Sequence, residues 1–321
     1  MLSRSLSTSR SWSTVMSDEW KPVCLRRSVS PATPGRLSWM LPRLIATDLD
    51  GTLLNCHGVV SERSIAALRA AHAAGIIVVF ATGRPPFVAA QEVLAVGPAV
   101  AYGVMANGSM ICTLPDGESL YTIRFPSALA VEAIGKLRAQ DPLFGFAMAT
   151  DRGFSEEVGF AERMPVFHSR PTVDDVLTGH DGATDTIKLL AFHHHHSALQ
   201  LLDIIPPIVG ADLVVSHMGT EAVELGPPGA DKGAGLRWLC AHLGIDGADV
   251  VVFGDEINDL AMFDFAGRSV AVANAAHLVR AAATEVTASN DDDGVALVIE
   301  ALLANAVRDM RSGTAHLSSR H

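Results

Sequence analysis

Apolar residues in this chain come in short runs that stop abruptly at polar ones, and the stops recur. Residues 44–47 are apolar up to Asp48, residues 76–81 up to Thr82, and residues 99–105 up to Ala106-Asn107-Gly108. Uninterrupted apolar runs of this length predict strands buried on both faces. Between the first two runs the period shifts to about 3.6. Ile65, Leu68 and Ala71 follow Ser61, a residue type that caps helices, and Gly75 stands where a helix end favours glycine. Another helix is expected near residues 88–96. Strand, helix, strand with fully apolar strands predicts a parallel sheet covered on both faces.

The rhythm breaks after Gly108. The chain then carries hairpin-like punctuation at Pro115-Asp116-Gly117, a charged, glycine-rich stretch around residues 151–159, and apolar strand candidates at 188–192 and 213–217. It resumes after Pro227-Pro228-Gly229, with helices expected at 232–243, 257–265 and 294–303 and strands at 250–253 and 270–273. The expected fold class is α/β: a Rossmann-like parallel-sheet core of residues 41–108 and 229–306, interrupted by an inserted α+β cap over 109–228. Residues 1–40 show no helical or strand period and read as a disordered leader or a misplaced start, Met16 and Met40 being alternative starts. Residues 307–321 read as a flexible tail.

Composition narrows the class. Of 321 residues, 49% are hydrophobic and 18% charged, enough apolar material to bury substantial cores. None of the apolar runs approaches the roughly 18–20 residues of a membrane span, which argues against a membrane partner. The net charge of −11 argues against nucleic acid, whose phosphates are bound through clustered Lys and Arg. The first 42 residues run against that balance, with six basic and two acidic side chains, so the body is more acidic than the whole. Cys24, Cys56, Cys112 and Cys240 lie far apart, which suggests neither a zinc site nor a disulfide framework and suits a reducing, cytoplasmic setting.

Four polar segments fall at predicted strand ends or helix starts, where open α/β sheets place ligands. In Asp48-Leu49-Asp50-Gly51-Thr52, two carboxylates can divide into nucleophile or metal ligand and acid/base; a solvated pair at a turn is the alternative. Thr82-Gly83-Arg84 offers a hydroxyl and free amides for a phosphate, or simply turns the chain. In Asp231-Lys232-Gly233 a lysine opens a helix against its dipole, a placement that a bound anion would explain. Gly254-Asp255-Glu256-Ile257-Asn258-Asp259 concentrates three carboxylates and an amide at a strand exit, hard oxygen donors suited to Mg²⁺.

Together and in this order, D-x-D-G-T, T-G-R, D-K-G and G-D-x-x-N-D resemble the haloacid dehalogenase-like hydrolase superfamily. Within it the chain is most similar to the Cof-type phosphatases, whose large α/β cap is inserted after the third core strand. Ala106-Asn107-Gly108 and Asn290-Asp291-Asp292-Asp293-Gly294 look like further family features. The likeness runs from about residue 42 to residue 303. It implies a Mg²⁺-dependent phosphatase for small phosphorylated metabolites, sugar phosphates first and phosphorylated cofactors second. Asp48 would be the nucleophile that takes the phosphoryl group, and Asp50 the acid/base. Thr82, Gly83, Lys232 and Asn258 would hold the phosphate. Mg²⁺ would lie between Asp48, the Asp50 carbonyl and Asp255, with Asp259 supporting it. Arg84 and Asn107 are candidate substrate contacts, pinning of the turn being the alternative for Arg84. The resemblance also admits a phosphomutase using the same intermediate, or a silent phosphometabolite-binding protein; competent residues at all four segments speak against silence. Glu256 departs from the glycine of many relatives. The run His193-His194-His195-His196 looks like a metal site but reads as a polar turn or helix start in the cap.

Overall fold

The apolar run that stops at Asp48 is β1 (Leu44–Thr47), every residue of it buried. A computed structural model describes residues 41–86, 88–150, 153–163, 172–178, 185–217 and 222–318; the segment read as a leader lies outside these. Ser61 caps α1 (Glu62–Ala73) by accepting from Ser64 N, and β2 (Ile77–Ala81) follows. Next come α2 (Ala90–Val96), β3 (Val100–Met105), and an antiparallel pair, β4 (Met110–Thr113) and β5 (Ser119–Thr122). The chain continues through α3 (Ser127–Gln140), β6 (Phe144–Thr150), β7 (Gly153–Glu157), α4 (Val158–Arg163), β8 (Thr172–Val173) and β9 (Thr186–His193). Then follow α5 (Ala198–Ile204), α6 (Pro206–Val209), β10 (Val214–His217) and β11 (Ala222–Gly226). The last stretch holds α7 (Lys232–Leu243), β12 (Val250–Gly254), α8 (Leu260–Phe263), β13 (Arg268–Ala271), α9 (His277–Ala282), β14 (Glu285–Val286) and α10 (Gly294–Ser318).

Two sheets organise these strands. The first has the order β14-β13-β12-β1-β2-β3-β4-β5, parallel from β14 through β3 and antiparallel beyond. The second has the order β10-β11-β9-β6-β7-β8. Residues 110–122 therefore extend the core sheet, and the expected cap boundary at residue 109 is too early. The chain turns back on β3, with Tyr102 opposite Thr113, before it leaves for the second sheet. The tail expectation also fails at the backbone, since α10 continues through Ser318. Of the helix expected at 257–265, only Leu260–Phe263 is α-helical; a tighter turn at Ile257–Asp259 precedes it.

The cap sheet has two unlike faces because side chains alternate along a strand. Leu189, Ala191, Val223 and Leu225 join Ala130, Ile134, Leu137 and Leu201 of α3 and α5 in one apolar cluster. Leu190, Phe192 and Ala222 face the other way, toward Val88 and Met110 of the core. The same alternation sends Lys188 and Glu224 to that core-facing side, and there they are buried.

Candidate active site

Neighbouring parallel strands deliver the carboxylates. Thr47 of β1 pairs with Phe253 of β12, so Asp48 and Asp255 emerge side by side at the carboxyl edge of the sheet. Asp48 N donates to Phe253 O at 3.1 Å, which ties the two exits together. A tight turn over Leu49–Leu53 follows, with Gly51 at φ 78°, and a Cβ there would lie 2.3 Å from Asp255 Oδ2. Glycine is thus required twice, by the backbone and by the neighbouring carboxylate.

Asp48, Asp255 and Asp259 each present an oxygen within 4.8 Å of the others, and all three are buried. This is the one such grouping of three or more His, Cys, Asp or Glu among the described residues. Thr52 Oγ1 donates to Asp255 Oδ1 at 2.7 Å. Asp259 Oδ2 accepts from the backbone N–H groups of Asp255 (2.9 Å) and Glu256 (3.1 Å), so it braces the loop that carries Asp255. Lys232 reaches in from the first turn of α7, whose N-cap Asp231 accepts from Ala234 N at 2.7 Å. Its ammonium donates to Asp48 Oδ1 and to Asp259 Oδ1, both at 2.7 Å, and the side chain is 1% exposed.

The electrostatics follow from one cation among three buried carboxylates. Burial pushes Asp48 well above the usual carboxylate range, opposed by Lys232 and reinforced by Asp259 and Asp255. Burial likewise pushes Asp255 up to about 6, against the hydrogen bond from Thr52. Burial works to lower the Lys232 ammonium, but Asp259 and Asp48 outweigh it and hold its pKa above the usual lysine value. Without a further cation the cluster is overfilled with negative charge. An oxygen-only, carboxylate-rich donor set of this kind fits Mg²⁺.

The other expected residues lie around this centre with different partners. Thr82 is fully buried at the end of β2, and its Oγ1 accepts from Arg84 N at 3.1 Å. The Asp50 side chain is 58% exposed and stands outside the carboxylate cluster. Arg84 donates to it from Nε (2.7 Å) and Nη2, and from Nη1 to Glu92 at 2.9 Å. Asn107 adopts a left-handed conformation (φ 50°) and joins two motifs. Its Oδ1 accepts from Asn258 Nδ2 at 3.2 Å, and its Nδ2 donates to Glu224 Oε2 at 2.6 Å. The His193–His196 run belongs to no grouping of three or more His, Cys, Asp or Glu ligand atoms among the described residues. His193 ends β9 beside Asp141 (3.2 Å), and the chain then enters α5, capped by Ser197.

Sequence reasoning missed two charged residues here. Lys188 donates to Gly83 O at 2.7 Å and lies 2.6 Å from Glu224 Oε2, with exposures of 2% and 3%. They carry the cap sheet onto the Thr82-Gly83-Arg84 turn of the core. The available signal was a charge inside an otherwise apolar run, at 186–193 and again at 222–226. Thr52 also went unread in its role as donor to Asp255.

Comparison with known proteins agrees with this geometry. The family described as haloacid dehalogenase-like hydrolase matches residues 45–299. A 5-amino-6-(5-phospho-D-ribitylamino)uracil phosphatase of Bacillus subtilis is 29% identical over 288 residues, 82% of this chain and 98% of that protein. An HMP-PP phosphatase of Yersinia pestis is 28% identical over 237 residues, 73% of this chain and 84% of that protein. A haloacid dehalogenase-like hydrolase from Bacteroides thetaiotaomicron has a solved structure that superposes with a TM-score of 0.69. It is 26% identical and covers 81% of this chain and 99% of that one. Its four motifs meet at one sheet edge and the family match spans most of its length: the chain belongs to the haloacid dehalogenase-like hydrolases.

Proposed function

We propose that this protein is a Mg²⁺-dependent phosphatase that hydrolyses small organic phosphate monoesters through an aspartyl-phosphate on Asp48. The observation that carries this reading is the buried Asp48 carboxylate, 2.7 Å from Lys232 Nζ and grouped with Asp255 and Asp259. Relatives named as phosphatases of a phosphoribitylamino compound and of HMP-PP support a phosphorylated metabolite, a sugar phosphate or a phosphorylated cofactor. No helix among the described residues is long and apolar enough to cross a membrane. The scattered cysteines support a cytoplasmic setting.

Asp48 Oδ attacks phosphorus in line with the ester oxygen. Asp50, swinging from its exposed contact with Arg84, gives that oxygen a proton and then takes one from the water that cleaves the aspartyl-phosphate. Lys232, the Thr82 hydroxyl and the Gly83 amide meet the charge that develops on the phosphoryl oxygens, and Asn258, its Nδ2 given to Asn107, stands near the phosphate without donating to it. Asp48, Asp255 and the Asp50 carbonyl would hold Mg²⁺, with Asp259 bracing Asp255. Bound there, the metal would offset the carboxylates and polarise the phosphoryl group. The test is a phosphate-release screen of purified protein over phosphorylated metabolites and p-nitrophenyl phosphate, with Mg²⁺ and with chelator. Release that needs Mg²⁺ and vanishes in Asp48→Asn is expected. Isomerised sugar phosphate without release would replace hydrolysis by phosphoryl transfer.

A further inference from the structure

A cavity of about 170 Å³ lies between cap and core, bounded by Asn107, Ser216, Glu224, Lys232, Ile257 and Asn258 among others. Lys232 links it to the carboxylate cluster. It is smaller than the roughly 300–1,000 Å³ of sites for drug-sized ligands, so a compact leaving group fits it. Two of its polar atoms take no hydrogen bond from the described residues. Glu224 is 3% exposed; its Oε2 is engaged by Lys188 and Asn107, while Oε1 accepts no hydrogen bond from any described residue and lies toward Gly226, another wall residue. Asn258 Oδ1 is itself buried, with no hydrogen-bond partner among the described residues.

Both free atoms are acceptors, and chemistry fixes that polarity. An ionised carboxylate only accepts, so Asn107 must turn its Nδ2 to Glu224. Its Oδ1 is then left for Asn258, whose Nδ2 must donate, and Asn258 Oδ1 is the end of the chain. A buried acceptor left unpaired is costly, and a hydroxyl donor is its natural complement. Lys188 at 2.6 Å offsets the Glu224 charge from behind, but its ammonium is spent on Glu224 and on Gly83 O. Among the described wall residues the one cation is Lys232, already shared by Asp48 and Asp259. A second anionic group on the leaving moiety would therefore meet Glu224 with no counter-charge.

We propose that Glu224, held by Lys188 and Asn107, is the specificity-determining residue that accepts a hydroxyl of the leaving group. The protein then takes monophosphates of small neutral polyols or sugars and turns away those bearing a second phosphate or a carboxylate. This rests on the phosphatase reading above, and the experiment separates the two.

Steady-state kinetics of the full chain with Mg²⁺ would compare ribitol 5-phosphate, n-pentyl phosphate and 5-phosphoribonate, with p-nitrophenyl phosphate as a size-tolerant reference. The wild type is expected to favour ribitol 5-phosphate over each matched analogue by about 100-fold or more in kcat/KM, as sites built to bind a hydroxyl do. Glu224→Gln keeps the side-chain shape and should cut that preference by about 10- to 100-fold, the worth of a charge-assisted hydrogen bond. Should Glu224→Gln not fold, the double variant Lys188→Met, Glu224→Leu removes the buried pair without stranding a charge, and the preference should vanish in it. Equal wild-type rates on the polyol and alkyl phosphates, or a preference that survives these variants, would overturn the assignment while leaving the phosphatase intact. No Mg²⁺-dependent release from any compound, p-nitrophenyl phosphate included, would overturn both.

Discussion

Lys232 serves two purposes that mutation can separate. It neutralises buried carboxylates in the resting protein, and it faces the phosphoryl group in the proposed reaction. Lys232→Ala strands Asp48 and Asp259 without a counter-ion. Removing one partner of a buried pair typically costs about 3–5 kcal/mol, so denaturant unfolding without metal should show a loss of that order. Turnover should fall by about 10²- to 10³-fold, the usual effect of deleting a group that stabilises transition-state charge. Added Mg²⁺ should restore much of the stability, because it supplies the missing positive charge, and little of the rate. Asp48→Asn differs in kind. It keeps the volume and a polar contact for Lys232 but removes the nucleophile, so p-nitrophenyl phosphate turnover should be abolished while the melting curve stays cooperative. Near-normal turnover in this variant would move the nucleophile elsewhere.

Turns and strand ends, rather than whole elements, place the chemistry. Gly51→Ala would force a side chain into a φ of 78° and drive its Cβ to within 2.3 Å of Asp255 Oδ2. Strain at such positions is of order 1–3 kcal/mol, and the carboxylate must move to accept it. The Mg²⁺ concentration for half-maximal activity should therefore rise at least about tenfold in Gly51→Ala, each 1.4 kcal/mol being a factor of ten. An unchanged metal requirement would take Asp255 out of the metal site. The sequence revealed this edge of the sheet because β1 and β12 are apolar up to Thr47 and Gly254 and lead straight into acidic residues, which marks both the strand and its exit. Lys188 and Glu224 escaped notice for the same reason: apolar neighbours made each look like part of a strand, and only the pairing of β9 with β11 brings them together. The hairpin around Pro115-Asp116-Gly117 was readable as a turn, but its membership of the core sheet depends on β4 pairing with β3. Helix α3 did carry a helical spacing at Ala130, Ala133, Ile134 and Leu137, hidden in a segment whose other signals were turns. The Arg84 bridge to Asp50 and Glu92 needs the fold of α2 against β2 and has no local signature.

At the scale of the molecule, an acidic chain of net charge −11 gathers three carboxylates in its interior, and folding pays for their burial unless a cation joins them. The sign of the pH dependence follows. Burial pushes Asp255 up to about 6 in the folded, metal-free protein and holds Asp48 well above the usual carboxylate range, so the folded state binds these protons more tightly than the unfolded chain. The Asp255 contribution to stability is then greatest below about pH 4 and is lost as pH rises through about 6, the reverse of an ordinary paired aspartate, and Asp48 acts in the same sense. Metal occupies the ionised cluster and competes with those protons, and a ligand bound to the folded state alone raises stability in proportion to its occupancy. Millimolar Mg²⁺ should thus raise the melting temperature clearly at about pH 7.5 and hardly at about pH 5, where protons hold the site. Asp255→Asn should shrink the difference between the two pH values, since it removes both a titrating group and a ligand. Equal metal-induced shifts at both pH values in the wild type would mean that Mg²⁺ binds at some other place than Asp48, Asp255 and Asp259. A pH-gated shift that is lost in Asp255→Asn would tie the metal, the buried carboxylates and the acidic character of the chain to one site.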